Sequence, residues 1–79
     1  MTAVADVVLA TFARVVGDPP ARGRDTTPAD ADGWDSLAQV EIVFEIEQTL
    51  GIQLPESALV VRTDIGTLID AAEAAVAAV

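Results

Sequence analysis

The chain has 79 residues, 52% of them hydrophobic, with 13 acidic residues, four arginines, no lysine and a formal net charge of −9. The absence of Cys and His excludes a disulfide framework, a zinc–thiolate site and the commonest general base. Such a charge disfavours nucleic acid and anionic membranes. The first residues do not show the pattern of a signal peptide, and no apolar run in the sequence is long enough to span a membrane. We therefore expect residues 1–79 to form one small cytoplasmic domain, monomeric and not an enzyme.

The first predicted element is an amphipathic helix from about Thr2 to Val16. Gly17 is a suitable residue just past its end, and the prolines that follow Asp18 prevent continuation. We place Phe12 at the margin of the buried stripe. The stripe itself consists of residues at helical spacing: Val4, Val7, Val8, Thr11 and Val15.

Residues 18–34 lack periodicity and form a long predicted loop, a feature that is usually functional or disordered in a compact domain. Arg22 and Arg24 form the only basic cluster of the chain. They either pair with carboxylates of the acidic body, which we favour, or bind a partner. Trp34, the only Trp, is expected to pin the end of the loop against the bundle.

The pair Asp35-Ser36 ends this run of turn-forming residues and opens the second apolar-periodic segment. Both residues are good N-caps, because a short side-chain oxygen satisfies the free N–H groups of a first helical turn. A serine there holds its hydroxyl in water beside the positive end of a helix dipole, which is a favourable place for a phosphate. For an isolated Asp-Ser pair, helix capping alone is the simpler interpretation.

The second helix is predicted from about Ser36 to Leu50 and has two apolar faces. Its buried stripe is expected to contain Ile42, Val43, Ile46 and Leu50. Leu37 and Phe44 lie roughly opposite, beside Glu41 and Gln48. An apolar pair rimmed by polar residues is typical of a docking surface, although the pair would alternatively pack against the loop.

The remaining segments complete an all-α fold. Gly51 ends the second helix, Leu54-Pro55 starts a short helical turn from Glu56 to about Val60, and Thr63 or Asp64 caps a last helix. One face of that helix contains Ile65, Leu68, Ile69, Ala72 and Val76. No strand pattern of useful length appears. We predict a small bundle of three longer helices plus one short helix, with a long loop between helices 1 and 2.

Metal sites and catalytic constellations are not predicted. A calcium loop starting at Asp30 would place Asp32 and Glu41 at its third and twelfth positions. Its fifth position is Trp34, however, and Asp35 stands at the sixth, where the sharp turn needs Gly. The remaining carboxylates are scattered, so we expect no catalytic residues and no metal.

The segment from about Gly33 to Asp70 closely resembles the acyl carrier protein family, without a gap. The residues that carry the resemblance are Asp35-Ser36-Leu37, Val40-Glu41, Val43, Ile46-Glu47, Leu50-Gly51-Ile52 and Leu54-Pro55. The resemblance implies an acyl-carrier-like fold and a covalent 4′-phosphopantetheine arm on Ser36. Asp35 matches the family's acidic residue that helps to position the modifying transferase and its metal. Contact between Trp34 and the arm is less favoured than packing.

The resemblance implies a stand-alone carrier that holds acyl or aminoacyl intermediates as thioesters and delivers them to partner enzymes. The implied partners are a phosphopantetheinyl transferase, an acyl- or aminoacyl-loading ligase or acyltransferase, and a ketosynthase or other downstream transferase. Nucleic acid and membranes are not expected as partners. The predicted partner-binding residues lie on the second helix: Leu37, Val40, Glu41, Phe44, Glu47 and Gln48.

Departures from the fatty-acid members of the family favour a type II polyketide or related secondary-metabolite pathway. Ala38, followed by Gln39, stands where an acidic residue is usual, and Gln48 stands where one is frequent. With Phe44, the docking face is therefore predicted to be less acidic and more aromatic. Trp34, directly before Asp35-Ser36-Leu37, stands where fatty-acid carriers typically have a small residue. The alternatives are a fatty-acid synthesis carrier and an unmodified helical adaptor.

Overall fold

The computed structural model describes residues 3–60 and 63–78, and within those ranges every regular element is helical. The helices are α1 (Val4–Val16), α2 (Ser36–Leu50), α3 (Ser57–Val60) and α4 (Ile65–Ala77). Two single-turn 3₁₀ helices, Gly23–Asp25 and Pro28–Asp30, interrupt the long loop between α1 and α2. The predicted bundle of three longer helices and one short helix is confirmed. The predicted start of the first helix at Thr2 lies outside the described residues, and α1 begins at Val4.

Local signals in the sequence fix the helix ends. The Asp64 carboxylate caps α4, because its Oδ1 accepts a hydrogen bond from the Thr67 N–H at 2.7 Å. That bond holds the pKa of Asp64 below its ordinary value. Helices α1 and α2 end at Gly17 (φ 100°) and Gly51 (φ 65°), a left-handed conformation that favours glycine.

The core lies where α1 packs against both α2 and α4. Phe12 is 1% exposed and belongs to the centre of this core, so its predicted place at the margin of the stripe is wrong. Val76, predicted to share one face of α4 with Ile65, Leu68, Ile69 and Ala72, is 38% exposed, whereas the other four side chains are buried. The fully buried large apolar side chains of the three helices are Val8, Phe12, Ile42, Val43, Ile46, Ile65 and Ile69.

The loop between α1 and α2 is attached to the start of α4. Thr26 is buried, its hydroxyl accepts a hydrogen bond from the Arg22 N–H at 2.9 Å, and its carbonyl accepts one from the Ile65 N–H at 3.0 Å. Arg24 pairs with Asp70 on α4 at 2.8 Å. These contacts hold a segment without helical periodicity against the bundle, so that it delivers the chain to the start of α2.

Candidate functional site

The start of α2 places a serine hydroxyl in solvent. Asp35 has an extended backbone (φ −93°, ψ −174°), and its Oδ1 accepts a hydrogen bond from the Ala38 N–H at 2.8 Å. Asp35 is therefore the N-cap and Ser36 the first helical residue, a distinction that the sequence left open. Ser36 is exposed, and its hydroxyl has no hydrogen-bond partner among the described residues.

Trp34 fixes the position of this turn from inside the bundle. Its side chain is 2% exposed and meets Phe12 edge-on, with ring centroids 5.1 Å apart and an interplanar angle of 88°. Because Trp34 immediately precedes the Asp35 cap, its burial holds the start of α2 against the bundle. The prediction that Trp34 pins the end of the loop against the bundle is confirmed.

Gln39 connects Trp34 to the short helix α3. Its Oε1 accepts a hydrogen bond from the Trp34 indole N–H at 2.7 Å, and its Nε2 donates to the Ala58 carbonyl at 2.6 Å. Gln39 is 1% exposed, so both ends of a buried amide are satisfied. The side chain therefore ties the loop end, α2 and α3 together beneath the serine.

The prediction that Ala38 and Gln39 belong to the docking face is wrong, because both side chains are buried. Gln39 lies three and seven residues before the buried Ile42 and Ile46. The helical periodicity therefore contained the signal that places it in the core stripe. Because the Gln39 side chain is polar, the sequence pattern alone did not assign it to the buried stripe.

The opposite side of α2 is apolar and solvent-exposed. Leu37, Val40 and Phe44 are 67%, 45% and 59% exposed, and their spacing of three and four residues puts them on one side of the helix. We call these three residues the apolar α2 face. Glu41 and Gln48 are also exposed. The alternative in which Leu37 and Phe44 pack against the loop is wrong, whereas a role in partner binding stays a prediction.

Two of the three α2 glutamates are engaged within the protein. Glu45 pairs with Arg14 at 2.7 Å. Glu47 is half-buried, and its Oε2 accepts a hydrogen bond from the Leu54 N–H at 2.8 Å, which closes the turn after α2. Glu41 has no hydrogen-bond or ion-pair partner among the described residues. Of the predicted partner-binding acids, Glu47 therefore already has a bond inside the protein.

Each of the three described arginines lies within salt-bridge distance of a carboxylate: Arg14–Glu45 at 2.7 Å, Arg22–Asp30 at 3.5 Å and Arg24–Asp70 at 2.8 Å. The Thr27 N–H donates to Asp30 and holds the pKa of that carboxyl below its ordinary value. The hydrogen bond to Asp70 raises the pKa of Arg24. The favoured interpretation, pairing with the acidic body, is confirmed for Arg24, whose partner Asp70 lies on α4. Arg22 pairs instead with Asp30, within the same loop.

Two of the cavities formed by the described residues lie beside the helices. The smaller, of about 130 Å³, lies beside Trp34 and between α3 and α4, with Leu68 and Ala71 among its apolar walls. The larger, of about 330 Å³, lies at the end of α1 and is lined in part by Asp18, Asp30 and Asp32. Among the described residues, no group of three or more Asp and Glu side chains is arranged to hold a metal ion. No helix of the described chain is long and apolar enough to cross a membrane.

Comparison with protein families finds a match, which covers most of the chain. The family described as "Phosphopantetheine attachment site" matches residues 6–72, a span that includes the whole of α2 and most of α1 and α4. The chain therefore belongs to the phosphopantetheine attachment site family, and its cofactor is covalently attached 4′-phosphopantetheine. Neither the curated proteins nor the solved structures that were compared contain a match.

The residues at the start of α2 are suited to a covalently attached 4′-phosphopantetheine. A phosphodiester needs a free hydroxyl, and Ser36 presents one in solvent. The N–H groups of Ser36 and Leu37 lie in the first turn, where they have no acceptor within the helix. These donors and the helix dipole favour a negatively charged phosphate at this position.

Proposed function

We propose that this chain is a non-catalytic carrier protein that holds acyl or aminoacyl groups as thioesters on a 4′-phosphopantetheine arm attached to Ser36. The observation that carries the proposal is the exposed Ser36 hydroxyl at the start of α2, inside the span of the family match. The chain contains one other serine, Ser57. The motif Asp35-Ser36-Leu37 favours Ser36 over Ser57.

In the attachment step, Ser36 Oγ is the nucleophile. A bond forms between Oγ and the phosphorus of coenzyme A that bears the pantetheine, and the bond from that phosphorus to the adenosine 3′,5′-bisphosphate leaving group breaks. The chain has no His to accept the Ser36 proton, so we assign the base and the metal to the transferase. Asp35 uses one carboxylate oxygen to cap α2, which leaves the other for the transferase or its metal.

The attached arm supplies a terminal thiol on which the cargo is held as a thioester. The chain contributes a rigid platform: the Asp35 cap, the buried Trp34 and the Gln39 bonds keep Ser36 at a fixed place on the bundle. Because residues 1–79 contain no Cys, the arm would supply the only thiol within these residues. The proposed partners are the transferase, a loading ligase or acyltransferase, and a ketosynthase or other downstream transferase.

For the pathway, we propose type II polyketide or related secondary metabolism over fatty-acid synthesis. The support is the exposed Phe44 and Gln48 on α2, together with Trp34 before the serine. Ala38 does not support this choice of pathway, because its side chain is buried in the core. Loading by a polyketide ketosynthase compared with a fatty-acid ketosynthase tests this choice, and faster transfer to the fatty-acid enzyme would contradict it.

Thiol titration tests the carrier function. After incubation with coenzyme A and a broad-specificity phosphopantetheinyl transferase, and removal of free coenzyme A, the wild-type chain should gain one reactive thiol per molecule. Ser36→Ala should gain none, and Ser57→Ala should behave as wild type. A wild-type chain that remains without a thiol, or a Ser36→Ala chain that gains one, would contradict the proposal.

A further inference from the structure

We propose that a groove at the end of α1 receives an arginine side chain of a partner protein. The groove is the cavity of about 330 Å³, and none of its lining residues belongs to α2. We call it the α1 groove. Its apolar lining includes Phe12, Val16, Pro19, Ala21 and Ala31, and its carboxylates are Asp18, Asp30 and Asp32. The inference goes beyond the carrier function, because this surface does not include Ser36 and does not need the arm.

The α1 groove is lined by three carboxylates and by no basic residue. The side chains of Asp18 and Asp32 are exposed and have no hydrogen-bond or ion-pair partner among the described residues. Arg22 approaches Asp30 at 3.5 Å, on the same Oδ2 that accepts bonds from the Thr27 N–H and hydroxyl. The groove also lies at the carboxyl end of α1, the negative end of its helix dipole. These charges together attract a cation.

The α1 groove suits an organic cation better than a metal ion. Among the described residues, no three acidic side chains are arranged to hold a metal. The apolar lining can cover the hydrocarbon stem of a long cationic side chain while the carboxylates bind its charged end. The groove, of about 330 Å³, exceeds the cavity of about 150 Å³ that holds benzene in an engineered protein. A guanidinium fits better than an ammonium, because its five donors lie in a planar fork that reaches several carboxylates at once.

The arginine has to come from a different protein. Arg14 and Arg24 are already paired within the chain, at 2.7 and 2.8 Å. A second copy would also bring another net charge of −9, which opposes self-association. Nucleic acid carries the same sign of charge and is repelled. Arginine is enriched at protein interfaces, so a basic patch on a partner protein is the complementary surface.

The α1 groove adjoins the segment that leads to Ser36. Phe12, which lines the groove, meets the Trp34 ring edge-on at 5.1 Å, and Gly33, which also lines it, directly precedes Trp34. A Cβ atom on Gly33 would lie 2.9 Å from the Val16 carbonyl oxygen, so glycine permits this close approach of the loop to α1. An arginine in the groove would therefore rest against the segment that delivers the chain to the start of α2.

Titration of the ¹⁵N-labelled full chain, followed by nuclear magnetic resonance, tests the inference. The probe is N-acetylarginine amide. Its saturable binding should give a Kd of about 1–10 mM, as expected of one side chain without the rest of the partner. The largest amide shift changes should fall on Ala21, Ala31, Asp32 and Gly33, which line the groove or its rim.

Two analogues of the probe separate charge from shape. N-acetylcitrulline amide has nearly the same shape without the charge and should bind about tenfold more weakly or worse. N-acetyllysine amide keeps the charge without the planar fork and should bind about threefold more weakly or worse.

Variants of the chain locate the binding site. Asp18→Asn and Asp32→Asn should each raise the Kd of the arginine probe by about threefold or more, because each removes a carboxylate from the α1 groove. Glu73→Gln is the matched control: it makes the same change of charge at an exposed position of α4 and should alter Kd by less than about twofold. Circular dichroism should show equal helicity for all three variants, since none of these side chains has a hydrogen-bond or ion-pair partner among the described residues.

Four results would overturn the inference. They are an absence of shift changes at the groove amides at about 50 mM probe, citrulline binding as tight as arginine binding, lysine binding as tight as arginine binding, and a Glu73→Gln effect equal to that of Asp32→Asn. Thiol titration decides the carrier function separately. A chain that gains a thiol but does not bind the arginine probe keeps that function and loses this inference.

Discussion

The indole N–H of Trp34 donates to the side-chain oxygen of Gln39 at 2.7 Å, and both side chains are almost completely buried. The other end of Gln39 donates to the Ala58 carbonyl at 2.6 Å. Trp34 lies two residues before Ser36, whereas Ala58 lies on α3. Two buried hydrogen bonds therefore connect the segment that positions the serine to the short helix beside it.

Gln39→Leu should destabilise the protein by about 1–3 kcal/mol, because it leaves the Trp34 N–H and the Ala58 carbonyl buried without Gln39 as a partner. Urea unfolding followed by fluorescence measures this, since Trp34 is the only Trp of the chain. Gln48→Leu is the control: the same change at an exposed position of α2 should alter stability by less than about 0.5 kcal/mol. Equal losses for the two variants would contradict the role of Gln39.

The sequence predicted α2 from Ser36 to Leu50 with the bounds that the structure has. This succeeded because both ends are determined locally, by a capping carboxylate at Asp35 and by the left-handed conformation at Gly51. The exposure of Leu37 and Phe44 followed from the helical periodicity, whereas the place of Ser36 at the helix start followed from the capping preferences of Asp35 and Ser36. The part of the site that depends on a single helix could therefore be predicted from the sequence.

Features that depend on contacts between distant segments of the chain could not be predicted from the sequence. Phe12 is central because Trp34, 22 residues later, packs against its ring, and a helical stripe in α1 contains no information about that partner. Gln39 is buried because Trp34 and Ala58 satisfy its amide. The two 3₁₀ helices are single turns, which are too short to leave a periodic signal. Periodicity places Val76 on the same face of α4 as the buried Ile69 and Ala72, but it does not show that the Val76 side chain is 38% exposed.

Ile46→Ala should cost about 2–5 kcal/mol of unfolding free energy, the usual range for truncating a fully buried large side chain. Such a loss is a large fraction of the stability of a small domain. Urea unfolding monitored by circular dichroism measures it. Val60→Ala, which shortens an exposed side chain of α3, should cost less than about 0.5 kcal/mol. A loss below about 1 kcal/mol for Ile46→Ala would mean that the core assignment of α2 is wrong.

Removing the Glu47 carboxylate should expose the Leu54 amide to exchange. Glu47→Ala deletes the acceptor of the Leu54 N–H, and hydrogen bonds to charged groups contribute about 1.5–3 kcal/mol. Leu54 should then exchange its amide hydrogen about tenfold faster or more, measured by nuclear magnetic resonance. Glu45→Ala, which removes the partner of Arg14 on the same helix, should leave Leu54 unchanged. Unaltered exchange in Glu47→Ala would show that Glu47 is free for a partner.

The Asp64 cap gives stability a dependence on acid pH. The pKa of Asp64 is lowered by the hydrogen bond from the Thr67 N–H, so its ionised form stabilises the folded state. This contribution is present above the unfolded pKa of about 3.9 and is lost as the pH falls through the lower folded value. Asp64→Asn keeps a capping oxygen without the charge. Urea unfolding at pH 6 and at pH 2.5 should show a smaller loss of stability for Asp64→Asn than for wild type, and an equal loss would contradict the assignment.

Attachment of the arm to Ser36 is the central claim, and peptide mass spectrometry of the modified wild-type chain tests it most directly. Residues 1–79 contain two serines, Ser36 and Ser57, both exposed and each the first residue of a helix. After reaction with coenzyme A and the transferase, one phosphopantetheine should be found, on the peptide that contains Ser36, with the peptide that contains Ser57 unmodified. Phosphopantetheine on Ser57, or none on the Ser36 peptide of a folded chain, would contradict the account.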